Sequence, residues 1–154
     1  MTKTKLFNGL LGVFAAMTLT IASLIIWAVY IEKPYLTYQN LPLDAINKTV
    51  IAGTSAVLLV ERCNSTDEVQ EYTLSRAIKN TKTGEIRTLK PIGRIPIPPG
   101  CTRDISGDVH VVPVDTQPGK YIFFGVATVG GTFGVQHQIA WYTEPFEVVA
   151  KETP

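Results

Sequence analysis

Two cysteines, two histidines and a cluster of six basic residues are the side chains here whose types and spacing could do chemistry. Cys63 and Cys101 stand 38 positions apart, both beyond a long uncharged N-terminal run. An even pair in an exported domain reads as a disulfide; two unpaired buried thiols are the alternative. Neither cysteine has a ligand partner at zinc spacing, so no metal is expected. His110 and His137 fall within alternating strand-like patterns, with no neighbour that completes a nucleophile or ligand set. Surface or satisfied histidines are the expectation. Asp104 and Asp108 flank Gly107 without the acidic spacing and closing Glu of an EF-hand, so a turn is expected. Ser65, Ser75 and Ser106 lack a nucleophile elbow. No triad, acid–base carboxylate pair or cofactor motif emerges, and the chain is expected not to be an enzyme.

The basic cluster is Arg76, Lys79, Lys82, Arg87, Lys90 and Arg94, with Glu85 the one acid among them. Residues 34–154 otherwise hold five basic against eleven acidic residues. A basic hairpin on an acidic body suits a solvated edge that discourages strand pairing. The sharper alternative is contact with a protein or an anionic envelope partner, lipid headgroups included. Antiparallel pairing around Lys82-Thr83-Gly84 is expected to bring Lys79 near Arg87, with Glu85 as the available counter-charge. Nucleic acid is not expected as a partner. The glycines of "VATVGGTFGVQHQ" would need a following helix to cradle phosphate. Strand patterns flank them instead, so they read as a hairpin loop. Phe133 at its tip is either an exposed contact residue or a tucked-in packing residue.

These features sit beyond an N-terminal segment of a different kind. Between Lys5 and Glu32 lie 26 residues without a charge. About 20 helical residues cross the ~30 Å hydrocarbon core of a bilayer. Thr20, Ile21 and Ala22 could precede a signal cleavage site, yet the apolar run continues to Ile31 and would leave an exposed apolar terminus. An uncleaved anchor over residues 10–31 is expected, with Trp27 and Tyr30 at its far interface. Lys3 and Lys5 keep residues 1–9 cytoplasmic and send the remainder to the periplasm or cell exterior. Gly12, Ala16, Thr20 and Ser23 share one helical face that could pack against a second copy.

Past a linker at 32–35, short strand patterns alternate with Gly, Pro and Asn punctuation up to residue 150, before a tail at 151–154. Strands are expected over Leu36–Leu43, Ala56–Cys63, Gln70–Asn80, Glu85–Leu89 and Asp108–Asp115, and in "PGKYIFFGVATV" and "VQHQIAWYTEPFEVVA". The proline-rich Pro91–Pro99 is expected to be a loop or a bulged edge. Seven or eight strands without a second amphipathic helix predict an all-β, Ig-like or fibronectin-like sandwich, with a small closed barrel as the alternative. Tyr121, after "TQPGK", is either a tyrosine corner or an ordinary half-buried strand tyrosine. Asn47 and Asn64 match a glycosylation pattern that matters only in a eukaryotic secretory pathway.

The anchor followed by "PGKYIFFGVA" and "TEPFEVVA" resembles small membrane-anchored proteins of tailed bacteriophages and prophages. The resemblance implies one membrane span carrying an Ig-like sandwich. It brings no active site with it. The resulting expectation is a non-enzymatic, membrane-tethered interaction module displayed in the periplasm, suited to superinfection exclusion or lysis. A structural component of a virion or envelope complex is the alternative.

Overall fold

The computed structural model describes residues 3–106 and 110–151, with side chains from Gly9 onward. The chain is mostly β-sheet, preceded by one apolar helix. It divides into two compact units, Met1–Lys33 with Gly130–Gln136, and Pro34–Val129 with His137–Pro154.

In the first unit, helix α1 (Lys3–Ile26) passes into a π-helical turn over Trp27–Ile31. Gly9–Ile31 is long and apolar enough to cross a membrane, a test that a signal sequence also passes. Thr18, Thr20 and Ser23 turn their hydroxyls back onto the carbonyls of Phe14, Ala16 and Leu19 at 2.8–2.9 Å. Their polar groups are thereby satisfied within the helix. The turn closes with Glu32 N–H donating to the Trp27 carbonyl. Helical backbone stops there because Lys33 precedes Pro34, whose ring disfavours helical geometry in the residue before it. The loop Gly130–Gln136 belongs to the same unit.

The second unit holds two sheets. Strands β1 (Leu36–Ala45), β3 (Leu58–Asn64) and β6 (Gly100–Ser106) form an antiparallel sheet in the order β1-β3-β6. The other sheet runs β2-β9-β7-β4-β5, from β2 (Thr49–Ile51), β9 (Phe146–Val149), β7 (Gly119–Gly130), β4 (Gln70–Asn80) and β5 (Ile86–Ile97). Strand β8 (Gln136–Tyr142) pairs with β7. Alternation decides which side chains enter the core. On β3 the inward phase is Leu58, Val60, Arg62 and Asn64; on β4 it is Tyr72, Leu74, Arg76, Ile78 and Asn80. Apolar residues of both phases join Leu36, Phe123, Trp141, Phe146 and Val148 in one cluster. Phe123 stacks on Phe146 with ring centroids 5.1 Å apart.

Of the two expectations for Pro91–Pro99, the bulged edge holds and the loop does not, and one strand expectation needs correction. Pro91–Pro99 is largely strand, since β5 continues through Pro91 and Pro96 to Ile97. It lies at the edge of its sheet, where a missing N–H costs no ladder bond on the open side. Two register shifts against β4, on either side of Leu74, absorb the irregularity. Asp108–Asp115 was expected to be a strand. Among its described residues it makes only an isolated bridge, Ser55 with Val111. His110 and Val112 instead exchange backbone bonds with Thr54 and Ala56 in a connecting segment, ahead of Pro113. Asp108 and Gly107 lie outside the described residues.

Cys63 and Cys101 are directly opposite each other in the β3–β6 register and are joined by a disulfide. The bridge closes 38 residues of sequence. In the chain-entropy model such a loop is worth about 4 kcal/mol. Replacing Cys63 by Ser should lower unfolding free energy by about that amount, read from urea denaturation in mild detergent. A loss below about 1 kcal/mol would show that the unfolded chain is constrained by other means.

Candidate functional site: a cavity over Arg62

A cavity of about 350 Å³ opens in the β-rich unit, lined by side chains of both sheets. Its polar groups are set by register. Arg62 on β3 faces Tyr38 on β1 and Thr102 on β6. Asp104 lies opposite Val60, diagonally adjacent to Arg62 on the same face. Arg62 Nη2 donates to Asp104 Oδ2 at 3.0 Å, and Nη1 donates to the Tyr72 hydroxyl across the gap between the sheets. The guanidinium carbon stands 5.6 Å from the centroid of the Tyr72 ring. Tyr38 shares a hydrogen bond with Tyr72, and burial, followed by the charge of Tyr72, pushes the Tyr38 phenol well above its ordinary range. The Tyr38 phenol is therefore neutral at physiological pH. Leu43, Val60, Leu74, Ile95, Ile105 and Trp141 provide the apolar walls.

His110 lines the cavity from its connecting segment and is 3% exposed. Its ring lies 5.5 Å from the rings of both Phe123 and Trp141. Burial, and then the nearby charge of Arg76, lowers its pKa to about 3, so it is neutral. Arg62 Nε, His110 Nδ1 and Trp141 Nε1 are buried without a hydrogen-bond partner among the described residues.

Residues singled out from the sequence fall elsewhere. The six basic residues do not form one patch. Arg76 turns onto the core face of β4, where its Nε and Nη2 donate to the Lys90 carbonyl at 3.4 and 3.2 Å. Burial lowers its pKa from the ordinary arginine value. Arg87 grips Asp115 in a two-bonded pair at 2.5 and 2.6 Å. Asp115, 28 positions along the chain, is thus the direct partner, and the expected counter-charge Glu85 contributes only through its weaker charge. Lys79 does not oppose Arg87, because the register pairs Lys79 with Ile86 and Ile78 with Arg87. Asn80 causes this by capping the turn: its side chain accepts from the backbone of Lys82 and Thr83, and its N–H donates to the Glu85 carbonyl. Lys82, Lys90 and Arg94 are exposed and Lys79 is half-buried.

Phe133 is exposed at the tip of its loop rather than tucked in. Gly12, Ala16, Thr20 and Ser23 lie along α1, all exposed in the single chain. Tyr121 donates its hydroxyl to the Gln117 carbonyl at 2.9 Å, the bond of a tyrosine corner. Asn64, one of the two glycosylation matches, is buried and donates to the carbonyls of Glu68 and Ile97. Asp104, read as a turn residue, lies within β6 as the partner of Arg62. Arg62, Tyr38, Tyr72 and Trp141 were not singled out. A signal existed: Arg62 and Arg76 each occupy the apolar phase of an alternating strand.

No family model and no curated protein matches the chain. Among solved structures, a DNA glycosylase of Pseudomonas fluorescens, AlkC, bound to DNA containing an abasic-site analogue, is similar at 15% identity and a TM-score of 0.46. The match covers 77% of this chain and 32% of the glycosylase, so the chain spans about a third of that protein's length. The C-terminal domain of wzt is similar at 9% identity and a TM-score of 0.45, covering 79% of this chain and 77% of that one. The expectations of no enzymatic activity and no nucleic-acid partner are corrected at this point. A chain of related outline is an enzyme bound to DNA, and a β-rich outline excludes neither property. A likeness this distant does not argue for glycosylase chemistry or DNA binding here.

Proposed function

We propose that this chain is a membrane-tethered binding module whose recognition site is the cavity over Arg62. Its helix would lie in a bacterial inner membrane, with the β-rich unit on the periplasmic side; the positive flank of Lys3 and Lys5 supports that orientation. Two sheets over one core and the Tyr121–Gln117 bond support an Ig-like or fibronectin-like sandwich. The resemblance of this layout to that of small phage and prophage proteins supports a role in modifying the host envelope.

The observation that carries the reading is the cavity, with its Arg62–Asp104 pair and the tyrosine hydroxyl that Arg62 also holds. Its volume lies at the lower end of the about 300–1,000 Å³ of small-molecule sites. That is room for about ten waters at ~30 Å³ each. Arg62 is already neutralised by Asp104, and His110 is neutral. The ligand class is therefore an uncharged, oxygen-rich small molecule with one apolar face, suited to the neutral polar groups and apolar walls of the cavity.

Thermal unfolding of the full chain in lipid nanodiscs tests this, against neutral sugars, lactones and amides and against carboxylate analogues of the same compounds. Neutral compounds should raise the midpoint by several degrees, and Ile95→Trp, which fills the void, should abolish the shift. If Ile95→Trp stabilises the chain and no compound shifts either protein, the cavity is a packing void and the reading fails. Stronger shifts from carboxylates would overturn the ligand class.

A further inference from the structure

We propose that the Gly130–Gln136 loop is a second membrane contact, inserting Phe133 into the interfacial layer of a phospholipid bilayer beside the end of the helix. This rests on the reading of Gly9–Ile31 as a membrane span. The Glu32 carboxylate, the first charge after the apolar run, accepts the Thr132 N–H at 3.1 Å and the Thr132 hydroxyl at 2.7 Å. The loop is thereby clasped to the point where the helix would leave the hydrocarbon. Inside it, Gly131 N–H donates to the Val135 carbonyl and Val135 N–H to the Thr132 carbonyl, so the tip is a closed turn.

Phe133 occupies that tip in the left-handed region, at φ 57°, and is 68% exposed. Bulky residues avoid this conformation. Here it holds a large apolar ring away from the protein surface. Trp27, Tyr30 and Ile31, in the last turn before Glu32, are also exposed. Aromatic rings concentrate at the membrane–water boundary, where an apolar body and a polar edge are both accommodated. The loop itself can enter that layer, since residues 121–143 contain no Asp, Glu, Lys or Arg. A protein partner seated on Phe133 would not require the neighbouring chain to be free of charge.

The two native cysteines are tied in the disulfide, so Phe133→Cys introduces a single labelling site. The full chain carrying an environment-sensitive fluorophore there is reconstituted in phosphatidylcholine–phosphatidylglycerol vesicles. The same label at Lys82→Cys, in the β4–β5 turn, is the aqueous reference. The label at 133 should emit to the blue and be quenched several-fold more by nitroxide lipids than by aqueous iodide, with the reverse at 82. Glu32→Ala, which frees Thr132, should reduce the lipid quenching. Phe133→Trp in a Trp27→Phe background, read with brominated lipids against the same background with Phe133 intact, in which only buried Trp141 emits, repeats the measurement without a bulky dye. Equal iodide access at 133 and 82, with the chain still in the bilayer after alkaline extraction, overturns the loop contact alone. Release of the unlabelled chain by alkaline extraction overturns the span and the loop contact together. Shielding of the label that appears only when a soluble protein fraction is added assigns Phe133 to a protein partner and overturns the lipid assignment.

Discussion

Acidification from pH 6.5 to pH 3 will remove about 5 kcal/mol of stability from the β-rich unit through His110 alone. The unfolded histidine takes a proton near pH 6.5, whereas the folded one, lowered by burial and then by Arg76, resists it until about pH 3. Between those values the unfolded state binds the extra proton. Stability is therefore full above 6.5, falls by about 1.4 kcal/mol per pH unit through the window, and levels off below it. Phe123 and Trp141 offer no charge, and Arg76 is a cation. Asp115, its pKa lowered chiefly by its hydrogen bond to Arg87, acts in the same direction, but only as the pH falls below 3.8. Urea denaturation of the full chain in non-ionic detergent, followed by the fluorescence of buried Trp141, gives the profile. His110→Leu should flatten it between pH 6.5 and 4 while leaving stability at pH 7 within about 1 kcal/mol. An unchanged slope in that variant would mean that His110 is protonated in the folded state.

Gly125→Ala should destabilise the same unit by about 4–5 kcal/mol, the range reserved for a backbone that cannot yield. Gly125 sits on β7 opposite Arg76 of β4, between two paired strands. A Cβ there would lie 2.0 Å from the Ser75 carbonyl oxygen and 2.9 Å from its carbon. Both are backbone atoms inside the ladder, so the strands must part to admit a methyl group. Their parting would also move Arg76. Hydrogen exchange should show β4 and β7 losing protection together. Gly130→Ala is the control, since a Cβ at that position meets nothing within 4 Å. A Gly125→Ala chain as stable as the wild type would rule out the β4–β7 register.

The apolar helix, most of the strands and the disulfide were legible in the sequence, and each rests on near-neighbour physics. A run of 26 uncharged residues needs no partner to be recognised. Period-two alternation in Gln70–Asn80 determined which side chains turn inward, Arg76 included. Two cysteines with no third thiol have one intramolecular pairing available. What the tertiary structure decided are the contacts between segments remote in sequence. Arg87 found Asp115 rather than a second cation, because Asn80 set the turn and with it the register. The prolines left two readings open, a loop or a bulged edge, and pairing with β4 on one side only made the segment the edge. His110 became a buried neutral ring through packing against β7 and β8. Arg62 met Asp104 by a diagonal step between β3 and β6, and met Tyr72 only because a second sheet faces it. Alternation reports whether a side chain points inward; which side chain it meets there depends on register and on sheet stacking, and both are set by the whole chain at once.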